Sequence, residues 1–243
     1  MKRKYLIVLF FITIFCIIIY NIFKTNKINY VAIGVNNKES IRYMYEDYFI
    51  DYLKSKKKLK EANKNYIRWY YEIDDILSLI DKANSKVNNG KNKTITNIIH
   101  EANIITLSLG SNEIEQIINT NYIDLDSKDV FKSIDKMILE YKELLEKIRT
   151  LSSSKIIIIG YFNKFDFNDE RYDLSNNIYS YAENRLKEFT SIKDVYLITL
   201  NDVFNKNSEY LEYYAGYDIN AKGNKYIADE IIKIYKENKL DKR

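Results

Sequence analysis

The ten residues 104–113, IITLSLGSNE, constrain the fold of this chain more than any other stretch. A largely β-favouring run enters Gly110, a short polar turn carrying Asn112 follows, and a helical pattern then begins. A run apolar on both faces suits a parallel strand covered by helices on both sides, rather than the half-wet alternation of an antiparallel sheet. In open parallel sheets ligands sit in the crevice beyond the carboxyl ends of the strands. The polar groups after Gly110 are therefore expected at a binding edge.

The rest of the chain can be placed around that strand. Residues 30–33 (YVAI) read as a short strand ending at Gly34, 65–69 as a weaker strand, 155–159 (KIIII) as a third buried strand ending at Gly160, and 195–200 (VYLITL) as another. Helical patterns cover 41–58, 74–86, 96–102, 113–118, 126–151, 171–190 and 221–238. The longest carries Val130, Ile134, Met137, Ile138, Tyr141, Leu145 and Ile148 at helical spacing, which is a core face. Residues 88–93 (NNGKNK) form the clearest turn, and 205–220 read as a loop. Alternating strands and helices predict a three-layer α/β/α sandwich with a mostly parallel central sheet, a flavodoxin-like arrangement. At 243 residues, 46% hydrophobic and 30% charged, the chain suits one good-sized domain, expected over 30–243.

The amino terminus has a different character. A basic tip, residues 1–4 (MKRK), precedes an uncharged apolar run over 5–23, long enough to span a bilayer as a helix. The tip outweighs Lys24 and Lys27, so the positive-inside rule places the amino terminus in the cytoplasm and the domain outside the cell membrane. The competing reading is a cleaved signal peptide. Its apolar region would be shorter and end in small residues, whereas Asn21, Ile22, Phe23 and Lys24 stand here, which favours a retained signal anchor. Cys16 reads as a membrane-buried thiol rather than a lipidation site, because Phe15 precedes it and the apolar run continues. Residues 24–29 form a short linker that reaches at most about 20 Å, holding the domain close to the membrane.

Composition narrows the chemistry. One Cys excludes an internal disulfide and one His excludes a His-rich metal site; no metal and no cofactor is expected. The net charge of +4 is spread among 38 basic and 34 acidic residues, a solvated face rather than one for anionic envelope polymers or lipid headgroups, and no nucleic-acid partner is expected. The 23 tyrosines accompany a skew toward Lys, Asn and Ile with no proline, which an AT-rich genome would encode. His100 falls on the helix leading into the 104–109 strand, so it is expected at the end opposite the binding edge.

Three strands end in glycine with an asparagine close behind: Gly34 with Asn36, Gly110 with Asn112, and Gly160 with Asn163. Glycine permits a sharp exit from a strand, and asparagine offers donor and acceptor while tolerating turn geometry. The pattern reads equally as a binding edge or as common turn residues in an Asn-rich chain.

These segments resemble the SGNH, or GDSL-type, hydrolases. YVAIGVN (30–36) is similar to that family's first block, where a strand runs into Gly-Asp-Ser; ITLSLGSNE (105–113) is similar to its Gly-x-Asn-Asp block; NAKGNKYIADEI (220–231) is similar to its last block. The resemblance spans residue 30 to about 236 and implies the SGNH-hydrolase fold. It also implies a nucleophilic Ser in the first block, an oxyanion-hole Asn in the third, and an Asp and a His in the last. Here Val35 and Asn36 stand where the family has Asp-Ser, so Asn36 occupies the nucleophile position without a hydroxyl. Asn112 matches the oxyanion residue. The last block reads Asp218, Ile219, Asn220, either with His-Pro missing or with Asp218 on the His position. The second-block glycine falls near 69–72, among bulky residues.

The chain is accordingly expected to be a degenerate family member, a pseudoenzyme that binds or scaffolds at the cell envelope. Its candidate binding residues are Gly34, Asn36, Gly110, Asn112, Asp218 and Asn220. The family implies acylated glycans, wall polymers or lipids as ligands. Two rivals stand beside this reading. One is an active esterase or acyltransferase with a rearranged site, in which Asp218 or Glu113 acts as a general base for water; Ser40 and Ser111 lie nearby but have no histidine partner. The other is a structural subunit of a membrane complex.

Overall fold

The structure is a computed structural model that describes residues 27–35, 43–84, 93–121, 124–213 and 217–241. The expected membrane span over 5–23, Cys16, the first half of the 24–29 linker, Asn36, Ser40 and nearly all of the 88–93 turn lie outside the described residues, while the last two linker residues belong to the first strand. No helix among the described residues is long and apolar enough to cross a membrane.

The main sheet contains β1 (Ile28–Gly34), β2 (Leu59–Ile67), β3 (Ile104–Ser108), β4 (Lys155–Ile159) and β5 (Val195–Ile198). Every pairing is parallel and the order is β2-β1-β3-β4-β5. The apolar run read first is thus the central strand. Its residues alternate between two cores, as the two-residue period of a strand requires. Ile105 and Leu107 enter one core together with Val31, Ile33, Ile156 and Ile158. Ile104 enters the other with Tyr30, Ala32, Ile157 and Ile159.

Helices cover both faces. The first core is closed by α2 (Ile73–Asn84), α3 (Ile95–Glu101), α4 (Ser111–Thr120), α5 (Lys128–Leu151) and α6 (Tyr172–Lys187). The second is closed by α1 (Tyr45–Ser55), α7 (Asn201–Lys206) and α8 (Ala221–Glu237). The apolar stripe of α5 is buried as its spacing predicts, with Leu144 added to it.

Two elements differ from the sequence reading. The weak strand expected over 65–69 begins much earlier, at Leu59. Its LKEANKNYI is largely polar because β2 pairs only with β1, and a charged edge strand carries little apolar signal. The loop expected over 205–220 contains an antiparallel hairpin, β6 (Leu211–Tyr213) with β7 (Tyr217–Ile219). Strands this short have no readable alternation, and the pair is held by its neighbours: the Asn220 side chain donates to the carbonyls of Glu209 and Leu211.

Candidate functional site

A cleft of about 1180 Å³ lies beyond the carboxyl ends of β1, β3, β4 and β5, where Val35, Ser108, Ile159 and Leu200 form part of its lining. Ligand pockets are commonly about 300–1,000 Å³. The space is therefore sufficient for an extended or oligomeric ligand.

Backbone geometry shapes the floor. Gly34 has φ +141°, and a Cβ there would collide with the backbone of Ser108 on the adjoining strand. The two exits are cross-tied, Val35 N–H donating to the Ser108 carbonyl and Ser108 Oγ to the Val35 carbonyl at 3.3 Å. Gly110, with φ +99°, caps α4 and leaves room for the Tyr161 hydroxyl. That hydroxyl is buried and has no hydrogen-bond partner among the described residues.

Asn112 and Asp218 both line this cleft, whereas Asn220 does not appear in its wall. The amide of Asn112 donates to the carbonyls of Trp69 at 3.1 Å and Tyr71 at 3.0 Å. Its donors thus hold the turn after β2. Asn163, which follows Gly160, also serves its own loop: it donates to the Tyr172 carbonyl and accepts from Phe165 N–H and Ser175 Oγ. Asn220 caps α8, accepting from the N–H groups of Lys222 and Gly223 at 2.8 and 3.0 Å.

Asp218 lies on β7, half-buried. Desolvation raises its pKa above the ordinary carboxylate value, with Lys164 acting against that rise. Lys164 forms an ion pair with Glu115 of α4, and both line the cleft. Asp169 and Arg171 form a second pair at the rim, the Arg171 side chain lowering the Asp169 pKa to about 2. Glu113 faces away into the protein. Its Oε1 accepts from Ile73 N–H at 2.6 Å, capping α2, and burial raises its pKa to about 7.

His100, the single histidine of the sequence, sits on α3, which leads into β3. Its Nδ1 hydrogen bonds the Leu151 carbonyl at 3.0 Å, at the end of α5 and just before β4. Both chain positions are at the amino ends of parallel strands, so the imidazole and the cleft occupy opposite ends of the sheet.

The sequence pointed at the strand exits and left other parts of the wall unmarked. Asn224 is fully buried, and its side chain accepts from Tyr45 N–H at 3.0 Å, tying α8 to the start of α1 beside the cleft. Trp69, Tyr70 and Tyr213 form an exposed aromatic rim. The RWYY run over 68–71 was visible in the sequence, but only tertiary packing brings Trp69 and Tyr70 to the same cleft as Tyr213.

No family model matches the chain. The uncharacterized protein YpmR of Bacillus subtilis (strain 168) is 21% identical over 197 residues, covering 79% of this chain and 73% of its own. Among solved structures, the lipase Lip_vut3 from a goat rumen metagenome matches with a TM-score of 0.70 at 15% identity, covering 85% of this chain and 97% of that one. A member of the lipolytic protein G-D-S-L family from Veillonella parvula DSM 2008 matches with a TM-score of 0.57 at 11% identity, covering 86% and 98%. Axe2, an acetylxylan esterase from Geobacillus stearothermophilus, matches with a TM-score of 0.56 at 11% identity, covering 86% and 95%. Likeness at these identities establishes architecture: the chain has the fold of the SGNH/GDSL lipolytic hydrolases.

Proposed function

We propose that this chain is a membrane-tethered, extracytoplasmic binding protein built on a hydrolase fold, silent in ester hydrolysis, whose cleft holds a glycan at the cell envelope. The observation that carries this reading is the separation of the lone histidine from the cleft, with His100 bonded to Leu151 at the far end of the sheet. A serine hydroxyl needs a neighbouring base to become a nucleophile. The engaged amide of Asn112 supports the same conclusion, since a donor spent on Trp69 and Tyr71 does not face a developing oxyanion.

Between a binding protein and a purely structural subunit, the open cleft beside Asn112 favours binding. Among ligands, an exposed aromatic rim above polar walls suits a saccharide, whose ring faces pack on aromatic carbon while its hydroxyls meet carboxylates and amides. One neighbour in fold is described as an acetyl-xylooligosaccharide esterase, which is in keeping with a saccharide ligand for this chain.

The test is a screen of acetyl and short-acyl esters against the purified full chain, with Asn112→Ala alongside to reveal contaminating esterases. No turnover above blank from folded protein is the expected result. Turnover that falls in Asn112→Ala or Asp218→Asn would replace this reading with an esterase of rearranged site, for which the half-buried, raised-pKa Asp218 is the available base.

A further inference from the structure

Among the described residues, the wall of the cleft has the opposite charge to the chain as a whole. Among the described lining residues, six carboxylates (Glu72, Glu115, Asp166, Asp169, Glu212 and Asp218) stand against two cations, Lys164 and Arg171. Both cations are already engaged by carboxylates of the same wall, Glu115 and Asp169. The sequence as a whole carries +4, so this negative excess is local to the cleft.

A further feature points to the kind of ligand. Trp69, Tyr70 and Tyr213 are 50%, 51% and 60% exposed at the rim. Trp69 and Tyr70 meet edge to face at 5.5 Å and 88°, so their ring planes are nearly perpendicular. Aromatic faces attract cations, and a walled acidic cleft focuses a negative potential that repels anions.

We infer that the cleft selects saccharides bearing free amino groups, oligomers of 2-amino sugars, over their N-acylated forms and over polyanionic polymers. The inference rests on the glycan-binding reading above. Ammonium groups answer the carboxylates, and ring faces answer the aromatic rim. A lysine peptide offers the first feature without the second, which makes it the informative competitor.

The experiment is calorimetric titration of the full chain in neutral detergent with four probes: glucosamine oligomers, N-acetylglucosamine oligomers, polyglycerol phosphate and oligolysine. Glucosamine oligomers are expected to bind about tenfold more tightly than their N-acetylated counterparts, the value of one partly desolvated charge pair. The preference should shrink with added salt and in Asp218→Asn, while Trp69→Ala should weaken both saccharides. Glu72→Gln, a change at the wall outside the hairpin, repeats the charge test if Asp218→Asn fails to fold. Equal binding of both saccharides without salt dependence would overturn the amino-group selection and leave the glycan reading intact. Oligolysine binding as tight as the glucosamine oligomers and indifferent to Trp69→Ala would reassign the cleft to a cationic peptide. Binding of polyglycerol phosphate alone would overturn the sign of the proposed selection, and failure of every saccharide to bind folded protein would overturn both readings.

Discussion

Glu46 shows how one residue can set the pH response of the domain. It lies in the first turn of α1 with no exposed surface. Burial raises its pKa from 4.5 to about 7, with Lys64 acting against the rise. Burial has the same effect on Glu113 and Glu183, each also raised to about 7. A carboxyl with a raised folded-state pKa binds its proton more tightly in the folded protein than in the unfolded chain. Its contribution is therefore fully present below about pH 4.5 and declines as pH rises through about 7. Thermal unfolding should show higher stability near pH 5.5 than near pH 8, and Glu46→Gln should flatten that slope by about 2 kcal/mol. An unchanged slope would mean that Glu46 is ionised in the fold. The role of Asn112 is legible at the same scale: Asn112→Ala should cost about 1–2 kcal/mol in denaturant unfolding, because the Trp69 and Tyr71 carbonyls lose their donor.

At the scale of elements, what the sequence revealed depended on how many faces an element buries. The central strand and α5 were readable because apolar residues fill both faces of one and a continuous stripe of the other. Ile134 is fully buried within that stripe, and Ile134→Ala should destabilise the domain by about 3 kcal/mol in equilibrium unfolding. The polar edge strand β2 was readable only at its carboxyl end and the three-residue strands of the hairpin not at all, since their places depend on backbone pairing with distant segments. The glycine exits were visible, but the reason for Gly34 was not. Its φ of +141° and the backbone of Ser108 together exclude a side chain, so Gly34→Ala should cost about 3 kcal/mol or prevent folding, read as a loss of soluble, cooperatively melting protein. An alanine variant of unchanged stability would show that the exit of β1 can relax.

For the whole molecule, the proposed tether makes a separate prediction. The apolar run over 5–23 should retain the full chain in the membrane fraction, with the domain accessible to protease added outside the cell, and removal of 1–26 should release it. Recovery of the intact full chain in the soluble fraction would overturn the anchor.

Taken alone, the sequence determined the layer architecture and the end of the sheet at which a cleft forms. Both follow from local pattern, namely which runs are apolar on both faces and where glycines let the chain leave a strand. It also placed His100 away from that end, because a residue on the helix entering β3 belongs to the strand's amino side. Only the tertiary structure decided what the polar groups at the cleft do. Asn112 and Asn163 look alike after their glycines, yet their hydrogen bonds depend on which backbone carbonyls and amides distant loops bring within reach. The acidic wall likewise gathers Glu72, Glu115 and Asp218 from well-separated parts of the sequence, and electrostatic potential sums over space rather than along the chain.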